Sequence, residues 1–115
     1  LFIKEKTPAI RGAVRRVLNM ALATPKQGII ATLQGMKRRP DRSIILRFSP
    51  YPVLCIAGKN DEVVGWRDLK AQSELCDQGE FYLSQKGGHM CFYEDKYPCL
   101  KVLEKFIIKC YAVTR

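Results

Sequence analysis

His89 is the only histidine in the chain, and it stands in "YLSQKGGHMCFYED" (82–95), directly after Gly87 and Gly88. Asp61 stands in "PVLCIAGKNDEVV" (52–64), three residues after Gly58. A carboxylate that accepts a hydrogen bond from one imidazole nitrogen fixes the ring's tautomer and stabilises the imidazolium. The other nitrogen is then free to take a proton as a general base. Taken singly, both residues have blander uses. A lone histidine is more often a half-buried residue with one satisfied hydrogen bond, and "KND" serves equally well as a turn or a helix cap. The elements that carry the two residues decide between these uses.

"VLCIA" (53–57) is a continuous apolar run between a proline and a glycine. It suits a strand buried on both faces, the usual state of a parallel strand. "GWRDLKAQSELC" (65–76) has helical spacing, with Trp66, Leu69 and Leu75 or Cys76 inward, and "EFYLS" (80–84) reads as a second strand with Phe81 and Leu83 on one face. Pro98 opens a last helix whose stripe is Leu100, Leu103, Phe106, Ile107 and Cys110. Strand, helix, strand implies a right-handed crossover between parallel neighbours. Ligands of open α/β sheets sit beyond the carboxyl ends of the strands. The crossover puts 58–61 and 87–89 on one rim, where Asp61 and His89 can pair. Gly58 lets the chain turn off the first strand, and Gly87-Gly88 let the second loop bend back over the sheet.

The first fifty residues are helical in pattern. Thr7-Pro8 reads as an N-cap with proline at the first helical position, followed by Ile10, Val14, Val17, Leu18 and Leu22, with Arg11, Arg15 and Arg16 facing away. Thr24 to Gln27 reads as a capping box ahead of Ile29, Ile30, Leu33 and Met36. Pro40-Asp41 starts a short third helix carrying Ile44, Ile45 and Phe48, and "SPYP" (49–52) is extended.

The 115 residues are 47% hydrophobic and 27% charged, a composition of ordered globular structure rather than disorder. No apolar run reaches the length of about 20 residues that spans a bilayer, and "LFIKEKTP" turns charged at once, unlike a signal peptide. The cysteines, at 55, 76, 91, 99 and 110, are odd in number; Cys55 lies inside an apolar run and Cys76 and Cys110 close helical patterns, which indicates a reducing, cytoplasmic setting. A zinc site from His89, Cys91, Cys99 and Cys76 lacks a C-x-x-C pair and fits no common spacing. Cys91 as a redox-sensing thiol is supported by adjacency to His89 alone. The net charge of +9 is concentrated in "RGAVRR" (11–16) and "KRRPDR" (37–42), without the interleaved aromatics of a single-strand binder. A basic nucleic-acid-binding domain is therefore the lesser reading.

"PYPVLCIAGKNDEVV" (50–64) followed by "KGGHMCFYED" (86–95) resembles the C-terminal part of the α/β-hydrolase family. P-V-L-x-I-x-G-x-x-D-x-x-V matches that family's acid strand and loop, and G-H after the next strand matches its histidine loop. The resemblance implies that Asp61 is the acid and His89 the base of a Ser-Asp-His triad, in the family's chain order. It covers about residues 50–110 and implies an esterase-like activity on a small-molecule ester, without metal or cofactor, nucleic acid or membrane. The expected class is α/β: a partial hydrolase fold with two C-terminal parallel strands and flanking helices over 50–115, preceded by a helical, cap-like segment over 1–49.

The family's nucleophile elbow, G-x-S-x-G, is absent. Ser43, Ser49, Ser73 and Ser84 lie between no flanking glycines. The 115 residues thus hold an acid and a base with no nucleophile, and are expected to be the C-terminal piece of a larger enzyme, inactive in isolation. The alternative is a non-catalytic binding module that forms homo-oligomers through an exposed sheet edge.

Overall fold

The computed structural model describes residues 2–4 and 7–113, with side chains to residue 112. These fall into two compact units, 7–42 and 2–4 with 43–113.

The first unit is a pair of helices, α1 (Pro8–Ala23) and α2 (Lys26–Arg38). Thr7 caps α1 as its sequence suggests: the Ile10 N–H donates to Thr7 Oγ1 at 3.3 Å, and Pro8 takes the first position, where no N–H is needed. The capping box expected at 24–27 does not form. Pro25 occupies the N-cap of α2, and the Thr24 hydroxyl turns back to donate to Met20 O at 2.7 Å. A threonine at a helix C-terminus satisfies the orphan carbonyl behind it as readily as the amides ahead. Ile10 and Ala13 are the buried residues of α1, while Leu18 and Leu22 of the expected stripe are exposed, as are Ile29, Ile30, Leu33 and Met36 of α2.

The second unit holds the sheet. Its elements run α3 (Ser43–Arg47), β1 (Val53–Gly58), α4 (Trp66–Glu74), β2 (Gly79–Ser84), α5 (Cys91–Glu94) and α6 (Lys96–Val113). Helix α3 starts at Ser43 rather than at Pro40-Asp41 and leaves Ile44, Ile45 and Phe48 exposed. Strands β1 and β2 are parallel neighbours, in register from Val53 opposite Gly79 to Gly58 opposite Ser84. The fold is mixed α/β with a two-stranded parallel sheet.

Burial is shallower than "VLCIA" suggests. Residues 53–56 are half-buried and only Ala57 and Gly58 are buried, because β1 has no other strand against it among the described residues. On α4 the buried residue is Ser73, with Cys76 just beyond the helix, while Trp66, Leu69 and Leu75 are half-buried. Helix α6 begins two residues before Pro98, which sits in the first turn without costing a ladder hydrogen bond. Cys99 is its buried residue near the start; Leu100, Leu103 and Ile107 of the expected stripe are exposed and Phe106 is half-buried. No disulfide joins any of the five cysteines; Cys76, Cys91 and Cys99 are buried. Among the described residues no helix is long and apolar enough to cross a membrane.

Candidate functional site

The loops after β1 and β2 leave the sheet from the same rim and remain joined. The Lys59 N–H donates to Ser84 O at 2.9 Å and the Asn60 N–H to Gly87 O at 3.0 Å, which keeps the two loops hydrogen-bonded beyond the strands. Such close contact requires glycine at 58: a Cβ there would fall on the carbonyl oxygens of both Gly88 and Gly87. Gly58 is therefore set by the approach of the second loop rather than by the conformation of the turn expected from the sequence, since no glycine in the chain has positive φ.

Asp61 and His89 meet on this rim. His89 Nδ1 lies 3.0 Å from Asp61 Oδ2 and 3.3 Å from Oδ1. The sequence-derived pair is thus within the hydrogen-bond range of roughly 2.6–3.2 Å expected of a base and its orienting acid. The two uses weighed for Asp61 turn out to coexist. Its Oδ1 also accepts the N–H groups of Val63 at 2.8 Å and Val64 at 3.0 Å, which is the turn-capping role. Those bonds lock the carboxylate before it meets the ring. Its side chain is 6% exposed and that of His89 32%.

Burial by itself pushes the Asp61 carboxyl up. The hydrogen bonds from Val64 and Val63 and from His89, together with the ring's charge when protonated, outweigh it and hold the group below the usual aspartate range. The acid therefore stays ionised opposite the ring, as an orienting carboxylate must. With Nδ1 donating to Asp61, Nε2 carries the lone pair.

The neighbouring thiols have another character. Burial, then the proximity of Cys91, pushes Cys99 up to about 12, and burial raises Cys91 as well. Both are thiols at neutral pH, a poor state for metal binding or nucleophilic attack. No cluster of three or more His, Cys, Asp or Glu side chains suited to a metal ion forms among the described residues. The serine hydroxyls near the sheet are also occupied: Ser84 donates to Asp95 Oδ2 at 2.7 Å and Ser73 to Lys70 O at 2.7 Å. A depression of about 170 Å³ lined by Ser43, Ile44, Arg47 and Leu75 includes neither Asp61 nor His89.

Sequence reasoning passed over Glu94. Its carboxylate accepts the Gly88 N–H at 2.6 Å and the Ile3 N–H at 2.5 Å. The local signal was only that an acidic pair, Glu94-Asp95, follows the histidine within six residues.

Comparisons with protein-family models, with curated proteins and with solved structures found no match.

Proposed function

We propose that the chain supplies the acid and the base of a serine-type α/β hydrolase acting on ester or related bonds. The observation that carries this reading is the Asp61 Oδ2 to His89 Nδ1 contact of 3.0 Å, made between loops at the carboxyl ends of two adjacent parallel strands. A carboxylate fixed by two backbone amides, an imidazole held through Nδ1 and a free Nε2 form the part of a triad that moves protons. Nε2 takes the proton of a hydroxyl nucleophile as that oxygen bonds to the ester carbonyl carbon, then hands it to the departing alkoxide. A water molecule repeats the exchange to release the acid. Asp61 keeps its negative charge throughout and stabilises the imidazolium.

The nucleophile in this proposal comes from residues outside the 115, since none of the four serines lies in a G-x-S-x-G turn. Helices over 1–49 play the part of a cap segment. The test uses an activated aryl ester. In a longer protein carrying G-x-S-x-G upstream, His89→Ala lowers hydrolysis by several orders of magnitude. In the 115-residue chain the same change alters nothing. Turnover by the short chain that disappears with His89→Ala would place a nucleophile inside it and defeat the proposal.

One observation favours a second reading, a binding or self-associating module. Strand β1 pairs only with β2 among the described residues, so its other edge offers backbone groups to a further strand.

A further inference from the structure

We propose that Glu94, backed by the buried Ser84 and its partner Asp95, is the positioning residue that holds the His89 loop so that the imidazole meets Asp61. The inference rests on His89 being the base, and it assigns a role to residues outside the acid–base pair.

The argument begins with the loop. Residues 85–90 join β2 to α5 and include two adjacent glycines, the residue type with the most backbone freedom to lose. A ring on such a loop is not held to a few tenths of an ångström by one contact, least of all a ring about one-third exposed. The structure anchors both glycine amides to side chains. The Gly87 N–H donates to Ser84 Oγ at 3.0 Å. Ser84 is fully buried, and its own hydroxyl proton goes to Asp95 Oδ2 at 2.7 Å, which aims its lone pair at Gly87. The Gly88 N–H, one residue before His89, donates to Glu94 Oε2 at 2.6 Å.

Glu94 itself is locked. Its second oxygen accepts the Ile3 N–H at 2.5 Å, from a segment 91 residues away in the chain. Bonds to a carboxylate are stronger than those between neutral groups and fix direction as well as distance. The surroundings leave the loop little room. A Cβ at Gly87 would meet the Cβ of Cys91 at 2.5 Å, and one at Gly88 would meet Ile3 Cγ2 at 3.1 Å and Asn60 O at 3.2 Å. The loop is gripped from α5, from the N-terminal segment and from the Asp61 loop. Neutralising Glu94 loosens one side of that grip: Gly88 and Ile3 face different carboxylate oxygens, so in a glutamine one of the two amides faces an NH₂ donor instead of an acceptor.

His89 is the only histidine, so its ring nitrogens are unique signals in a histidine-labelled chain. The experiment records long-range proton–nitrogen NMR spectra of the 115-residue chain at a pH where the imidazole is neutral. The Nδ1–H tautomer is expected to dominate in the wild type. In Glu94→Gln, with an unchanged far-ultraviolet circular dichroism spectrum, it is expected to become the minor form; Ser84→Ala moves it in the same direction. A folded Glu94→Gln chain with the wild-type tautomer ratio overturns the proposal. If that variant does not fold, wild-type hydrogen exchange decides: a Gly88 amide exchanging as fast as that of Lys86 overturns the proposal, and a protected one supports it. In the longer protein, Glu94→Gln lowers kcat with KM unchanged. A tautomer change in the short chain, with no ester hydrolysis by the longer wild-type protein, would sink the hydrolase reading and leave the positioning role of Glu94 standing.

Discussion

His89 Nδ1 and Asp61 Oδ2 are 3.0 Å apart although 28 residues separate them in sequence. A parallel pair of strands with a helix between them brings the ends of both strands to one rim, and the two loops need only short excursions to meet there. The contact is between a carboxylate already satisfied by the Val63 and Val64 amides and a ring whose Nδ1 has that one acidic neighbour.

Asp61→Asn is expected to leave the turn intact, because an amide oxygen can still accept from Val63 and Val64. Its NH₂ group then faces Nδ1 as a donor and drives His89 to the Nε2–H tautomer. In the longer, nucleophile-bearing protein, ester hydrolysis falls by about 10⁴-fold. Activity within a few-fold of wild type would remove Asp61 from the mechanism.

Acid exposes the same carboxylate. Its pKa in the folded chain lies below its unfolded value, so the stability it contributes is complete above the ordinary aspartate pKa of about 3.9 and is lost as pH falls through the lowered folded value. Urea midpoints followed downward in pH should therefore drop more steeply for the wild type than for Asp61→Asn over that window. Parallel curves would show that the carboxylate gains nothing from its partners on folding.

Gly58→Ala puts a Cβ onto the carbonyl oxygens of Gly88 and Gly87. Backbone cannot swing away as a side chain can, so the loops must part. The expected cost is about 1–3 kcal/mol, read as a lower urea midpoint at unchanged slope, together with a disturbed His89 tautomer. An unaltered midpoint would mean that the two loops are not held in contact in solution.

Apolar side chains on α3 and just after it are bare: Ile45 is 58% exposed and Phe48 73%. With one edge of β1 also unpaired among the described residues, the isolated chain is expected to self-associate or to pack loosely. Size-exclusion chromatography across a concentration series should show a shifting elution volume. A fixed monomer, with near- and far-ultraviolet circular dichroism melting together in urea, would mean that these residues form a self-sufficient domain.

Much of this arrangement is legible in local patterns. The proline-bounded apolar run 53–57, the helical spacing of 65–76 and the second strand at 80–84 predict the parallel pair, and the loops that follow predict the meeting of Asp61 and His89. Those inferences depend on periodicity and chain direction, which short stretches of sequence carry. Capping was less legible. Thr24 is followed by Pro25, Lys26 and Gln27 in the order of a capping box, yet its hydroxyl serves Met20 O behind it. A threonine between two helices has acceptors and donors on either side, and the backbone angles that choose between them are not written in residue type.

The grip on the histidine loop was decided by tertiary structure alone. In sequence Glu94 and Asp95 look like solvated residues of a charged stretch, and Ser84 like the polar end of a strand. Folding carries the Glu94 carboxylate to the amides of Gly88 and Ile3, and the Ser84 hydroxyl between Gly87 and Asp95. The half-burial of β1 has the same origin. How deeply a side chain is covered, and which distant amide a carboxylate answers, are properties of neighbours in space, and periodicity along the chain does not specify them.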